Sequence, residues 1–89
     1  MKLITTDTYE RKAKKFFKKH PELIDKYKNT LSLLIENSEQ SSLKLHKLKG
    51  NLKDFYSISL SFEFRIILLI ELSKEAIYLV DIGTHDEVY

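Results

Sequence analysis

The chain has no cysteine. That excludes disulfides, thiolate metal sites and cysteine nucleophiles, and with them the usual small secreted scaffold. Its single proline and two glycines leave no glycine-rich phosphate loop, no linker and no serine elbow. The longest apolar run is Ile66–Ile70, far short of the roughly 20 residues that span a bilayer. The opening stretch MKLITTDTYERKAKKFFKKH lacks the apolar segment of a signal peptide. There are three histidines, His20, His46 and His85, and none has the spacing of a helical zinc motif. The one metal set left to consider is His46, His85 and an acid. The expectation from these absences is a soluble cytoplasmic protein with no membrane contact, no metal and no small-molecule cofactor.

What is present is ordinary globular material: 89 residues, 43% hydrophobic and 31% charged. This length gives one domain, residues 1–89, burying about 60–65% of the surface its unfolded chain exposes. The net charge of +2 conceals an asymmetry. Residues 1–28 carry nine Lys and Arg against four acids, residues 44–65 carry five against two, and residues 66–89 carry one against five. Two basic regions fit a polyanionic partner, although exposed lysines on a helix are common in any protein.

Periodicity supplies the fold class. KLIT at 2–5 reads as a short strand. Asp7 with Glu10 has the spacing of a reciprocal helix cap. Tyr9, Ala13, Phe16 and Phe17 then form a helical stripe. His20-Pro21 interrupts, since proline suits a new first turn and disfavours helix in the residue before it. A second stripe runs through Leu23, Ile24, Tyr27, Leu31, Leu34 and Ile35 and ends near Asn37. From Leu43 the period becomes two, through LKLHKLKG, FYSISL, FEFRIILLIEL and AIYLVDIGT, with turn signals between the runs. The expected architecture is α+β, ordered β-α-α-β-β-β(-β): an antiparallel sheet with a two-helix hairpin on one face and the other face at least partly open.

Two polar positions stand out. Arg65 lies inside the least polar strand, so it needs an acid, water or an anionic ligand, because an unpaired buried charge is very costly. The last eight residues, IGTHDEVY, place a histidine and an aromatic where chain order is usually weakest. Imidazole is the side chain best suited to proton exchange near neutral pH. A solvated tail and a functional tail are both consistent with this much.

The pattern HxLKGxLKxxYSI, then xxFRIIxxI, then IGTHDxxY at the end resembles the RelE/ParE superfamily of bacterial toxins. Within it, the pattern is most similar to the YafQ-like messenger-RNA endonucleases. The resemblance spans nearly the whole chain, and IGTHDEVY is its most specific part. It implies a toxin of a type II toxin–antitoxin system that cleaves messenger RNA on the ribosome by metal-independent acid–base chemistry. It also implies a cognate antitoxin as partner. The superfamily includes gyrase poisons of the same fold, which make a non-enzymatic, gyrase-binding toxin the alternative. Carried over by position, the resemblance implies catalytic roles for His46, Glu63, Arg65, His85 and Tyr89, and RNA-binding roles for Lys47, Lys49 and Lys53. Ser59 departs from the pattern, since YafQ-like enzymes have a further histidine near this position, and the identity of the general base is therefore open.

Overall fold

The computed structural model describes residues 1–89. Its elements are β1 (Lys2–Ile4), α1 (Asp7–Lys19), α2 (Ile24–Glu36), β2 (His46–Lys47), β3 (Tyr56–Ser59), β4 (Phe64–Glu71), β5 (Ala76–Thr84) and a final turn of helix, α3 (His85–Val88). The cap of α1 is Thr6, whose hydroxyl accepts from the Tyr9 amide at 3.1 Å. Asp7 instead sits inside the first turn with Glu10, where carboxylates favour the positive end of the helix. Pro21 opens a short 3-10 turn before α2, and Asn37 caps that helix's C-terminus.

The sheet order is β1-β5-β4-β3-β2. Strands β2 to β5 form the antiparallel meander read from the alternation. Strand β1 adds to β5 in parallel, with Leu3 opposite Ile77, so the sheet is mixed. The strand expected through residues 43–50 is cut to two residues. Lys44 adopts φ 51°, in the left-handed region, which breaks the extended run after the buried Leu43. Gly50, at φ 66°, closes the other side with a turn that costs glycine little.

One sheet face carries the core. Ile58, Leu60, Ile66, Leu68, Ile77, Leu79 and Ile82 pack with Tyr9 of α1, Leu34 of α2 and Leu43. Leu79 and Ile82 are three apart, yet both reach this core. The β4–β5 register explains this. Ile67 faces Asp81 and Leu68 faces Leu79, leaving Val80 without a partner, and such a bulge resets the alternation. It also lets Asp81 receive Lys12 of α1 at 2.5 Å. Truncating a fully buried member such as Leu68 to Ala costs about 2–5 kcal/mol. The one polar contact deep between the helices is Tyr9–Tyr27, hydroxyl to hydroxyl at 2.8 Å. Burial first, then the neighbouring Tyr27, pushes the Tyr9 phenol well above its ordinary value. Burial does the same to Tyr27. Both therefore stay neutral.

Candidate active site

On the other face the alternation brings polar residues into line. Ser59, Arg65 and Gly83 are opposite one another across β3, β4 and β5. One pair over, His46 of β2 stands opposite Ser57 of β3, which puts their side chains on the same face about 5 Å apart. Ser57 is fully buried, because the chain end covers it.

That covering is the work of α3. Thr84 caps it reciprocally: its hydroxyl accepts from the Glu87 amide at 3.2 Å, and its own amide donates to Glu87 Oε1 at 2.8 Å. The hydrogen bond from the Thr84 backbone, and then the one involving its side chain, holds the Glu87 carboxyl below its ordinary value. Glycine at 83 lets this turn lie against β5, since a Cβ there would meet Glu87 Oε1 at 3.1 Å and Val88 Cγ1 at 3.3 Å. The Tyr89 amide donates to the His85 carbonyl at 3.0 Å. The Tyr89 hydroxyl then donates to Ser57 Oγ at 2.5 Å. The tail is thus a capped helical turn, folded back and pinned to β3.

His85 is held edge-on against Tyr89, ring centroids 4.1 Å apart at 72°. Its Nδ1 lies 3.6 Å from Asp86 Oδ1, too far for a hydrogen bond, and its side chain is 67% exposed. Both nitrogens can therefore exchange protons with a ligand. His46 is also exposed, and its Nδ1 is 3.0 Å from the Lys44 carbonyl. A carbonyl only accepts, so Nδ1 carries the proton and, in the neutral ring, Nε2 is left as an acceptor.

Arg65 makes no ion pair, so the salt bridge considered for it does not form. Its Nη1 lies 2.7 Å from the Ser61 carbonyl, 3.1 Å from that of Phe64, 3.3 Å from that of Phe62 and 3.4 Å from Ser59 Oγ. Four neutral oxygens share the two hydrogens of one nitrogen, while Nε and Nη2 make no hydrogen bond within the chain. The guanidinium is anchored at one corner, its charge uncompensated and its other donors free for an anion.

The remaining candidates are less focused. Glu63 lies exposed in the β3–β4 turn and makes no side-chain hydrogen bond or ion pair. Lys47 pairs with Tyr56 and so stands on the opposite face from His46 by the two-residue period. Lys49 and Lys53 are exposed at the two ends of the Gly50–Leu52 turn. No group of three His, Asp or Glu side chains converges in a metal-ligating arrangement, and His46 and His85 share no acid. The largest cavity, about 530 Å³, opens on the helix side between Lys12, Lys15, Lys19, His20, Phe64 and Thr84. It contains none of Arg65, His46 or His85. Two contacts were not evident beforehand: Ser57 with Tyr89, and Ser59, already marked as a departure from the family pattern, with Arg65. Both depend on strand register.

Solved structures share this fold. YafQ from E. coli strain BL21(DE3) superposes with a TM-score of 0.81 at 17% identity, covering 99% of this chain and 97% of that one. The E. coli DinJ-YafQ toxin–antitoxin complex gives 0.78 at 20%, covering 99% and 96%. A metal-bound toxin from Helicobacter pylori gives 0.77 at 26%, covering 100% and 99%. No curated protein sequence matches. Residues 1–89 match the family described as bacterial toxin of type II toxin-antitoxin system, YafQ. With the whole chain matched, this protein belongs to the YafQ family of type II toxins.

Proposed function

We propose that this toxin is a ribosome-dependent endoribonuclease that cleaves messenger RNA by metal-independent acid–base chemistry and is held inactive by a cognate antitoxin. The observation that carries the reading is Arg65: a guanidinium anchored only by neutral oxygens, on the sheet face that also bears His46 and the His85–Tyr89 tail. Such a group is built to receive a phosphate.

In the proposed reaction the RNA's own 2′-oxygen attacks the adjacent phosphorus. The 2′-O–P bond forms and the P–O5′ bond breaks, leaving a 2′,3′-cyclic phosphate and a 5′-hydroxyl. His46, with Nε2 free, and His85 are the two proton carriers. One takes the 2′-hydroxyl proton and the other supplies the proton to the leaving 5′-oxygen, each contributing about 10²–10⁴-fold. Glu63, unpaired in the turn that anchors Arg65, is a further proton acceptor in this scheme. Arg65 directs donors at the charge developing on the phosphorane. Tyr89, 40% exposed, offers a ring face to an unpaired base. Lys47, Lys49 and Lys53 supply positive charge for the RNA backbone. Ser59 stands where relatives carry a further histidine and here serves the guanidinium. The antitoxin found with YafQ in the E. coli complex supports a partner of that kind for this chain.

The test is mapping of RNA 5′ ends shortly after the gene is induced. New ends inside translated codons are expected. Growth arrest with intact messenger RNA and inhibited gyrase would give the non-enzymatic alternative instead.

A further inference from the structure

The β3–β4 turn carries the most exposed large apolar side chain of the molecule, Phe62, at 95%. A lone surface hydrophobe is ordinary, but this one has a setting. It lines a cavity of about 420 Å³ between α2 and the turn, with Lys26, Lys44 and Ser59 also in its wall. No Asp or Glu lines this cavity, and neither lysine is paired with a carboxylate. The cavity also adjoins the guanidinium. Ser59 Oγ, in its wall, is 3.4 Å from Arg65 Nη1, and the Phe62 carbonyl is 3.3 Å from the same nitrogen.

We propose that this cavity is a nucleotide subsite, in which Phe62 stacks on a single-stranded base neighbouring the cleaved phosphate while Lys26 and Lys44 hold the phosphate beyond it. The inference rests on the reading of Arg65 as a phosphate site. Three features favour RNA over a peptide. The charge is uniformly positive. The one exposed apolar group is a flat ring, which stacks on any base. Of the other apolar walls, Leu43 and Leu60 are only 2% and 1% exposed and Leu33 is half-buried, so Phe62 offers most of the apolar surface. The RNA path would then run from the His85–Tyr89 tail across Arg65 into the cavity.

The experiment is an NMR titration of the ¹⁵N-labelled full chain with a 2′-O-methyl pentaribonucleotide, which cannot be cleaved. It is repeated for Phe62→Ala, Phe62→Tyr and the double variant Lys26→Gln/Lys44→Gln. Gln at residue 44 leaves the backbone preference much as Lys does, and Phe62 is exposed, so the variants are expected to fold. Amide shifts at Phe62, Lys44 and Ser59, as well as at Arg65 and His85, are expected. Phe62→Ala should weaken binding by about fivefold or more, the low end of what one base stack contributes, and Phe62→Tyr should restore it. The double lysine variant should flatten the slope of log K against log salt by about 0.7, for the one phosphate that is no longer neutralised. An unchanged Kd for Phe62→Ala, with shifts confined to Arg65 and His85, overturns the subsite and leaves the nuclease reading standing. Loss of antitoxin affinity without loss of RNA affinity also overturns it, making the cavity a protein-binding surface. Cavity shifts from a protein that leaves ribosome-bound messenger RNA uncut uphold the subsite and reject the nuclease reading.

Discussion

The hydroxyl of Tyr89 donates to Ser57 Oγ at 2.5 Å, tying the last residue to a strand 32 positions earlier. Together with the edge-on packing of Tyr89 and His85, this bond fixes the histidine by way of the aromatic. Tyr89→Phe keeps the ring and removes the bond, leaving the buried Ser57 hydroxyl without its partner. A loss of about 1–3 kcal/mol is expected, read by chemical denaturation. Adding Ser57→Ala should recover most of it. If the double variant is no more stable than Tyr89→Phe, the tail is not held by this bond.

Replacing either proposed proton carrier should cripple cleavage without touching the fold. His46 and His85 are exposed, so His46→Ala and His85→Ala should keep the parent denaturation midpoint. Each should lower the cleavage rate on programmed ribosomes by about 10²–10⁴-fold. An unimpaired rate in either folded variant removes that histidine from the mechanism.

Gly83→Ala probes the seat of the tail. Its new methyl would press on Glu87 and Val88 at 3.1–3.3 Å, lifting α3 while the core beneath stays packed. A displacement near ~1 Å can cost on the order of 10²-fold in rate. The expected signature is a large fall in cleavage with little change in melting temperature. A parallel fall in both would mean the glycine serves the sheet and not the site.

Acid should loosen the tail before it unfolds the protein. The Thr84 bonds hold the Glu87 carboxyl below its ordinary value, so the folded tail binds its proton less readily than an unfolded one. The stabilisation is complete above the ordinary glutamate range and is lost as pH falls through the lowered value. The His85 and Tyr89 ring signals in NMR should lose their mutual ordering in that acidic window while core methyl signals persist. In Glu87→Gln, this acid-dependent step should disappear.

Much of this arrangement was legible in advance. The stripes of α1 and α2 and the alternation of β3 to β5 are strong because each buries a whole face. Other features turn on single residues or distant partners. Asp7 read as the cap of α1, but its neighbour Thr6 takes that place, since a hydroxyl caps as well as a carboxylate. Nothing in lysine announces a left-handed backbone at residue 44, and so LKLHKLKG read as a longer strand than it forms. The parallel pairing of β1 with β5 joins opposite ends of the chain. Thr84-x-x-Glu87 is a capping box written openly in the sequence, but a four-residue helix is too short to show an apolar stripe. For Arg65 the sequence posed the question of a partner, and only the register of β3 and β4, with the turn between them, answers that the anchors are neutral oxygens.

The most direct test of the nuclease reading compares the wild-type protein with Arg65→Ala on purified ribosomes holding a defined messenger RNA, reading both ends of any cut. The wild type should cut within the decoding-site codon, leaving a 2′,3′-cyclic phosphate or 3′-phosphate and a 5′-hydroxyl. Folded Arg65→Ala should leave the message intact. Fragments ending in 3′-hydroxyls, or cutting by Arg65→Ala at the parent rate, would contradict the account.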